Sequence, residues 1–83
     1  MDVHIWDVPE SDYQEWAAFT GSHLGGYDGY RGWVRSAITN AVFRGDTVRM
    51  VPLSVGQMRD KLRAAGLENT TQNRAMVLAI ESG

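Results

Sequence analysis

The sequence predicts an α+β fold in which four short helices pack on a small two-stranded sheet, in the order β-α-α-β-α-α. Two short segments alternate apolar and polar side chains, as half-buried strands do, and each is followed by proline. Four other segments repeat apolar side chains at helical spacing and begin or end at capping residues or glycine. Because a chain of 83 residues has room for one hydrophobic core, we expect residues 1–83 to form a single compact domain.

The first strand and the first helix are predicted within residues 3–20. Residues 3–8 alternate in polarity, and Pro9, which has no N–H to donate, ends the strand. Ser11 and Gln14 have the spacing of a capping box, so we expect Ser11 to be the N-cap of the first helix. The apolar stripe of this helix consists of Tyr13, Trp16, Ala17 and Thr20.

The central helix follows a glycine-rich stretch at residues 25–33. Four glycines and three aromatic residues occupy these nine positions, which is typical of a packed joint between helices or of a contact surface. Asp28 is the predicted N-cap of the helix that follows, and we expect the helix to end at Gly45. The predicted buried stripe consists of Trp33, Ala37, Ile38, Ala41 and Val42.

The second strand is predicted at residues 47–51, which alternate in polarity before Pro52. Residues 3–8 are its expected pairing partner, and the two strands need helices packed on a face to be stable. Ser54 and Gln57 then repeat the capping-box spacing and predict the start of the third helix.

The third and fourth helices are predicted to form a hairpin. Gly66 followed by the apolar Leu67 predicts a Schellman closure of the third helix. Residues 69–72 carry a third start signal of the capping-box kind. The last helix is nearly all apolar over residues 75–80, so we expect most of its circumference to be covered.

Composition excludes several kinds of site and indicates a compartment. The chain has no cysteine, which removes disulfides, thiolate metal sites and thiol nucleophiles. No apolar run approaches the roughly 20 residues of a membrane span, and the first residues lack the basic and apolar regions of a signal peptide. We therefore expect a cytoplasmic protein without membrane association.

The charge of the chain is unevenly distributed. Residues 1–28 contain six acidic residues and no Lys or Arg, whereas residues 29–83 contain eight basic residues, seven of them Arg, against four acidic ones. The simpler interpretation is that the acidic third folds against the basic remainder. The alternative is a basic surface that meets an anionic partner.

No residue pattern indicates catalysis, metal binding or a cofactor. The spacing of His4 and His23 ties neither residue to a carboxylate or a nucleophile, and no two His residues have the spacing of metal ligands. The carboxylates of the first third are spread along expected surface positions, and Ser and Thr are mostly at predicted caps. The sequence therefore predicts a protein that is not an enzyme.

The predicted contact surface lies in residues 27–35. Tyr, Trp and Arg are the residue types most enriched at binding hot spots. A small core cannot easily bury all seven aromatic side chains of residues 6–33, so we expect two or three of Tyr27, Tyr30, Trp33 and Trp6 to stay accessible. The predicted partner-binding residues are Tyr27, Tyr30, Arg31, Trp33 and Arg35.

The leading functional hypothesis is a non-catalytic protein of inhibitor or adaptor type that docks on a larger protein through this surface. The same side chains would serve a homodimer equally well. Small genes that encode such binding proteins are frequent in phages and mobile elements, so a phage or mobile-element origin is compatible with this hypothesis.

A helix-turn-helix-like DNA-binding protein is the first alternative, using residues 54–82. Lys61 and Gln72 argue against it, because that motif has apolar residues at the corresponding positions. The candidate nucleic-acid-binding residues are Arg59, Arg63, Thr71, Asn73 and Arg74.

A nucleotide or second-messenger binder is the second alternative, using the glycine-rich stretch at residues 25–35. Gly26, Gly29 and Gly32 would form a backbone nest for a phosphate, while neighbouring Tyr and Trp side chains stack on a base. The spacing matches neither a Walker A loop nor a dinucleotide fingerprint.

Overall fold

The computed structural model describes residues 1–82 and has the predicted α+β class and element order. The strands and helices succeed one another without long connections, and a single turn of 3-10 helix at Glu10–Asp12 precedes the first α-helix. The elements are β1 (Asp2–Asp7), α1 (Tyr13–Thr20), α2 (Gly26–Phe43), β2 (Thr47–Pro52), α3 (Val55–Ala64) and α4 (Thr71–Ser82).

The two strands pair as predicted, and they run parallel, with Asp2 opposite Thr47. A parallel pair requires a crossover connection, which α1 and α2 provide. Helix α4 packs against both strands, and α2 packs against β2. Because successive side chains of a strand point to opposite faces, the burial of both Ile5 and Trp6 means that β1 is covered on both faces.

An aromatic cluster forms much of the core and corrects the expectation that so small a core could not hold these rings. Neighbouring ring centroids in the cluster lie between 5.2 and 6.4 Å apart, in tilted and edge-to-face arrangements that aromatic pairs favour. Of the seven aromatic residues between positions 6 and 33, Trp33 is the one outside the cluster. The members are Trp6, Tyr13, Trp16, Phe19, Tyr27 and Tyr30.

Helix α2 begins earlier than predicted, so most of the glycine-rich stretch is helical. Gly25 is the N-cap, with φ of 78°, and Asp28 lies within the first turn, so the prediction that Asp28 caps the helix is wrong. Gly29 is required by packing, because a Cβ at this position would lie 1.4 Å from the carbonyl oxygen of Leu24. The segment before α2 therefore folds back directly onto the backbone of the helix.

The buried face of α2 agrees with the predicted stripe in part, since Ala37 and Ile38 pack against the core. Tyr30, Val34 and Ala41 are buried, whereas Trp33 is 50% exposed and Val42 is 65% exposed. Residues 30, 34 and 41 follow helical periodicity as well as the predicted set does. The hydrogen bonds that Tyr30 makes with β1 fix this face toward the core.

The signals around α3 are confirmed. Gln57 N–H donates to Ser54 Oγ at 3.0 Å, and Ser54 N–H donates to the Gln57 side chain at 2.8 Å, which completes the capping box. At the other end, Leu67 N–H donates to Leu62 C=O at 2.9 Å, with Gly66 in the left-handed conformation. These bonds form the predicted Schellman closure.

One other start signal and one burial prediction are wrong. Residues 10–12 form the 3-10 turn, so α1 begins at Tyr13 and Ser11 is not its N-cap. Helix α4 does begin within the predicted start signal at residues 69–72, where Thr70 Oγ1 accepts from Asn73 N–H at 3.1 Å. The circumference of α4 is also less covered than expected, since Ile80 is largely exposed.

Within residues 1–82, two ion pairs join the acidic third to the basic remainder, and one of them is the 3.6 Å pair between the N-terminal ammonium of Met1 and Asp46 Oδ1. Arg49 Nε lies 3.1 Å from Asp2 Oδ2, across the start of the sheet. The side-chain pairs Arg44–Asp46 and Lys61–Glu81 lie within the basic remainder itself. Much of the positive charge is therefore not neutralised by contacts within the described part of the chain.

Candidate functional site

The five predicted partner-binding residues do not form one surface. Arg31 and Arg35 are four positions apart and lie on the same side of α2. Trp33 is two positions from each, which places it about 200° around the helix axis, on the opposite side. The structure therefore separates the predicted site into two flanks of one helix.

Tyr30 is a core residue and not an accessible one, so this part of the prediction is wrong. Its side chain is 2% exposed. The hydroxyl donates to Trp6 C=O at 2.6 Å and accepts from Val8 N–H at 2.9 Å. Burial raises the pKa of the Tyr30 phenol, and the hydrogen bond from Val8 acts in the opposite direction. Trp6 is buried too, contrary to expectation.

Tyr27 is half-buried and contributes to both the core and the surface. Its hydroxyl donates to Val8 C=O at 3.1 Å, so its orientation is fixed. The guanidinium carbon of Arg31 lies 6.0 Å from the centre of the Tyr27 ring, at the limit of a cation–π contact. Tyr27 therefore supports the position of Arg31.

The first surface is the basic flank of α2, which consists of Arg31, Arg35, Ile38 and Val42 with Met50 of β2. The four helical residues follow the spacing of a single stripe. Both arginines are exposed, and neither forms an ion pair with an acidic side chain of residues 1–82. Arg31, Ile38 and Met50 border a cavity of about 210 Å³. This flank thus combines free positive charge with accessible apolar surface.

The second surface is the Trp33 cleft, on the opposite side of α2. It has a volume of about 310 Å³ and lies between α2 and α4, beside strand β1. Its walls are mostly apolar, and no Asp or Glu lines it. Principal lining residues are His4, Trp16, Leu24, Trp33, Arg74 and Leu78.

The walls of the Trp33 cleft include a cation without an acidic partner within residues 1–82 and an indole N–H without an acceptor. Arg74 donates to the side chains of Asn69 and Thr71, which are neutral, and it forms no ion pair within residues 1–82. Burial lowers the pKa of the Arg74 guanidinium. The Trp16 indole N–H is buried without an acceptor in the described chain.

The candidate nucleic-acid-binding residues are divided between two helices and largely engaged locally. The Arg74 guanidinium donates to Thr71 Oγ1 at 3.2 Å, and the Asn73 amide donates to Glu68 C=O at 2.9 Å. Arg59 and Arg63 lie on α3 and form no ion pair within residues 1–82. The connection between α3 and α4 spans residues 65–70, which is longer than the roughly three to four residues of a helix-turn-helix.

The glycine-rich stretch does not form the phosphate-binding loop that the nucleotide alternative requires. Gly29 and Gly32 lie inside α2, where beyond the first turn backbone N–H groups bond within the helix. Among residues 1–82, no group of three or more His, Cys, Asp or Glu side chains is arranged to hold a metal ion. No helix of the described chain has both the length and the apolar character needed to cross a bilayer.

Sequence reasoning missed several residues that build the two surfaces. The predicted stripe is wrong for Val42, because it is counted from Trp33, whereas Ile38 does pack against the core. A stripe counted from Tyr30 through Val34 to Ala41 places Val42 on the exposed face of α2. His4 and Leu24 carry no sequence signal for the Trp33 cleft, since they reach it through the tertiary fold.

Comparison with protein-family models, with curated proteins and with solved structures finds no match to this chain. The functional interpretation therefore depends on the chemistry of the two flanks of α2.

Proposed function

We propose that the protein is a non-catalytic binding protein, of inhibitor or adaptor type, that docks on a larger protein through the basic flank of α2. The observation that carries this proposal is the stripe formed by Arg31 and Arg35 beside Ile38 and Val42. Both guanidiniums lack acidic partners within residues 1–82, and Val42 beside them is exposed, while Ile38 is partly buried. Arg, Met and aromatic residues are all enriched at protein interfaces.

The chemistry of the flank defines the surface that it fits. Arginine forms bidentate hydrogen bonds with carboxylates, so an acidic partner surface complements Arg31 and Arg35. An apolar group between the carboxylates would cover Ile38, Val42 and Met50 and exclude water from the contact. At the end of the same helix, Phe43 is 87% exposed and adds apolar area near the flank. The cytoplasmic location and the phage origin are parts of this proposal.

The proposal is tested by matched charge reversals on two helices. The double variant Arg31→Glu/Arg35→Glu changes the basic flank, and Arg59→Glu/Arg63→Glu makes the same change at the same spacing on α3. Arg31 and Arg59 each lie against one aromatic ring, so the two double variants should lose similar packing at those rings. Tagged proteins are used for affinity purification from the native host, and melting temperatures are compared.

The α2 reversal should abolish recovery of a specific partner protein, and the α3 reversal should leave it intact. Recovery should also decrease with added salt, because charges at the edge of a contact are screened over about 8–10 Å. Equal recovery by the wild type and the α2 variant would contradict the proposal. If the protein self-associates and the α2 reversal abolishes that self-association, the partner is a second copy of the chain and not a larger protein.

A DNA-binding function is a second candidate, supported by three arginines around Asn69. Arg59 and Arg63 border a shallow cavity with Asn69, and Arg74 donates to the Asn69 side chain. Nucleic-acid binding of this kind should weaken steeply with salt, because phosphate contacts release counterions. In a mobility-shift experiment with a mixed-sequence duplex, the α3 reversal should then abolish binding while the α2 reversal has a smaller effect. The absence of a shift at low salt would exclude this candidate.

A further inference from the structure

We infer that the Trp33 cleft binds an extended, carboxylate-bearing segment of another protein chain, which adds as a strand to the free edge of β1. This surface lies on the opposite side of α2 from the basic flank. The inference therefore goes beyond the proposed function and does not depend on it. With both surfaces in use, the protein would hold two partners at once, which favours the adaptor over the inhibitor.

The backbone of β1 indicates which of its groups are free. Thr47 N–H donates to Met1 C=O at 3.0 Å, so the odd-numbered residues of this strand direct their N–H and C=O groups toward β2. Even-numbered residues direct theirs to the other edge, because the direction alternates along a strand. The bonds of Trp6 C=O and Val8 N–H to the Tyr30 hydroxyl agree with this alternation.

The Tyr30 hydroxyl closes one end of this edge and leaves the rest open to the cleft. Both groups of His4 and the N–H of Trp6 face away from β2, and His4 and Trp6 line the cleft. A row of unpaired backbone groups is a template for another strand. An extended segment that pairs with an exposed edge gains affinity from main-chain hydrogen bonds and specificity from pockets beside the edge.

The walls of the cleft are suited to the side chains of such a segment. Trp33 of α2 and Ala75 of α4 both line the cleft and are exposed, so they offer accessible apolar surface there. The alternate side chains of a strand point to opposite faces, so one set meets α2 and the other meets α4. A strand in this position would place backbone and side chains against surfaces that are otherwise in contact with water.

The positive charge of Arg74 indicates that the segment carries a carboxylate. Arg74 lines the cleft, its bonds within residues 1–82 are to neutral side chains, and no acidic residue borders the cleft. Partial burial already lowers the pKa of the guanidinium, so a carboxylate would restore favourable electrostatics to a desolvated charge.

The test is a selection of peptides of about six residues, the usual strand length, displayed as a random library. The full chain is the target, and a Trp33→Ser variant is used for counter-selection. We expect enriched peptides to alternate in polarity and to contain Asp or Glu. A synthetic peptide from this set should bind the wild type, Arg74→Gln should weaken binding by roughly tenfold or more, and Arg63→Gln should not.

Backbone N-methylation of the peptide tests the strand addition itself. Methylation at alternate positions, whose N–H groups face β1, should abolish binding, and methylation at the intervening positions should preserve it. Failure to enrich peptides above the Trp33→Ser variant, or binding that is indifferent to the position of methylation, would overturn the inference. A dimer of the free protein that Trp33→Ser dissociates would also overturn it, because a second copy would then occupy the cleft. None of these results depends on Arg31 or Arg35.

Discussion

Among single residues, Tyr30 contributes to the fold through its hydroxyl as well as its ring. The hydroxyl occupies the position that a neighbouring strand would take, between Trp6 C=O and Val8 N–H. Both backbone groups lie at or just beyond the end of β1 and face away from β2. A residue that the sequence places in a contact surface therefore closes one end of the free edge of β1.

Replacing Tyr30 by phenylalanine tests this role. Tyr30→Phe leaves two buried backbone groups without partners, so we expect the free energy of unfolding to fall by roughly 2–4 kcal/mol. Tyr27→Phe is the matched control, because it removes one part-buried bond, to Val8 C=O, and should cost about 1 kcal/mol. Urea denaturation of both variants measures the difference. Equal losses in the two variants would contradict the special role of Tyr30.

The raised pKa of Tyr30 predicts a decrease in stability at high pH. Burial is its main cause, and the negative charge of Asp7 adds to it. An unfolded tyrosine ionises near pH 10, whereas the folded Tyr30 keeps its proton to higher pH. The unfolded state therefore binds fewer protons in this range, and the free energy of unfolding falls as pH rises above about 10.

Denaturation curves between neutral pH and pH 11 measure this effect. The wild type should lose stability more steeply above about pH 10 than Tyr30→Phe, which lacks the ionising group. Parallel pH profiles for the two proteins would show that Tyr30 does not ionise differently in the folded and unfolded states.

Among the elements, α2 depends on one particular glycine at its start. A Cβ at Gly29 would collide with Leu24 C=O, so Gly29→Ala must displace the preceding segment and should cost more than about 2 kcal/mol. Gly32 lies in the same helix, and a Cβ there meets no atom within 4 Å. Gly32→Ala should therefore stabilise the protein by about 0.5–1 kcal/mol through helix propensity. Thermal unfolding of both variants distinguishes these effects, and opposite signs are the expected result.

The order and type of the elements could be predicted because local signals agree with the tertiary structure. The capping box at Ser54 and the closure at Gly66 satisfy backbone groups within a few residues, so their outcome does not depend on distant contacts. The start of α2 could not be predicted in this way. Glycines are poor helix formers, and here the packing of Leu24 against Gly29 decides the conformation.

The candidate site could be predicted in part, for a related reason. Arg31 and Arg35 are exposed and free of acidic partners within residues 1–82, as a contact surface requires. The orientation of α2 was ambiguous, because counting from Trp33 or from Tyr30 gives an apolar stripe of similar quality. The Trp33 cleft joins residues from β1, α1, α2 and α4, so no local pattern indicates it.

For the whole molecule, the main consequence of the fold is that α2 presents two chemically different flanks. One flank carries two free guanidiniums with apolar neighbours, and the other borders a cleft beside an open strand edge. A parallel sheet of two strands leaves such an edge unless a helix or loop covers it. A protein of this size can therefore offer two separate contacts without a second domain.

Site-specific photocrosslinking tests the central claim, that the basic flank of α2 is the docking surface, most directly. The photoreactive amino acid p-benzoylphenylalanine replaces either Val42 on the flank or Ile80 on α4, which are exposed to a similar extent, 65% and 68%. In the native host, position 42 should give one crosslinked protein, and the Arg31→Glu/Arg35→Glu background should remove it. Crosslinking of the same protein from position 80, or no product from position 42, would contradict the account.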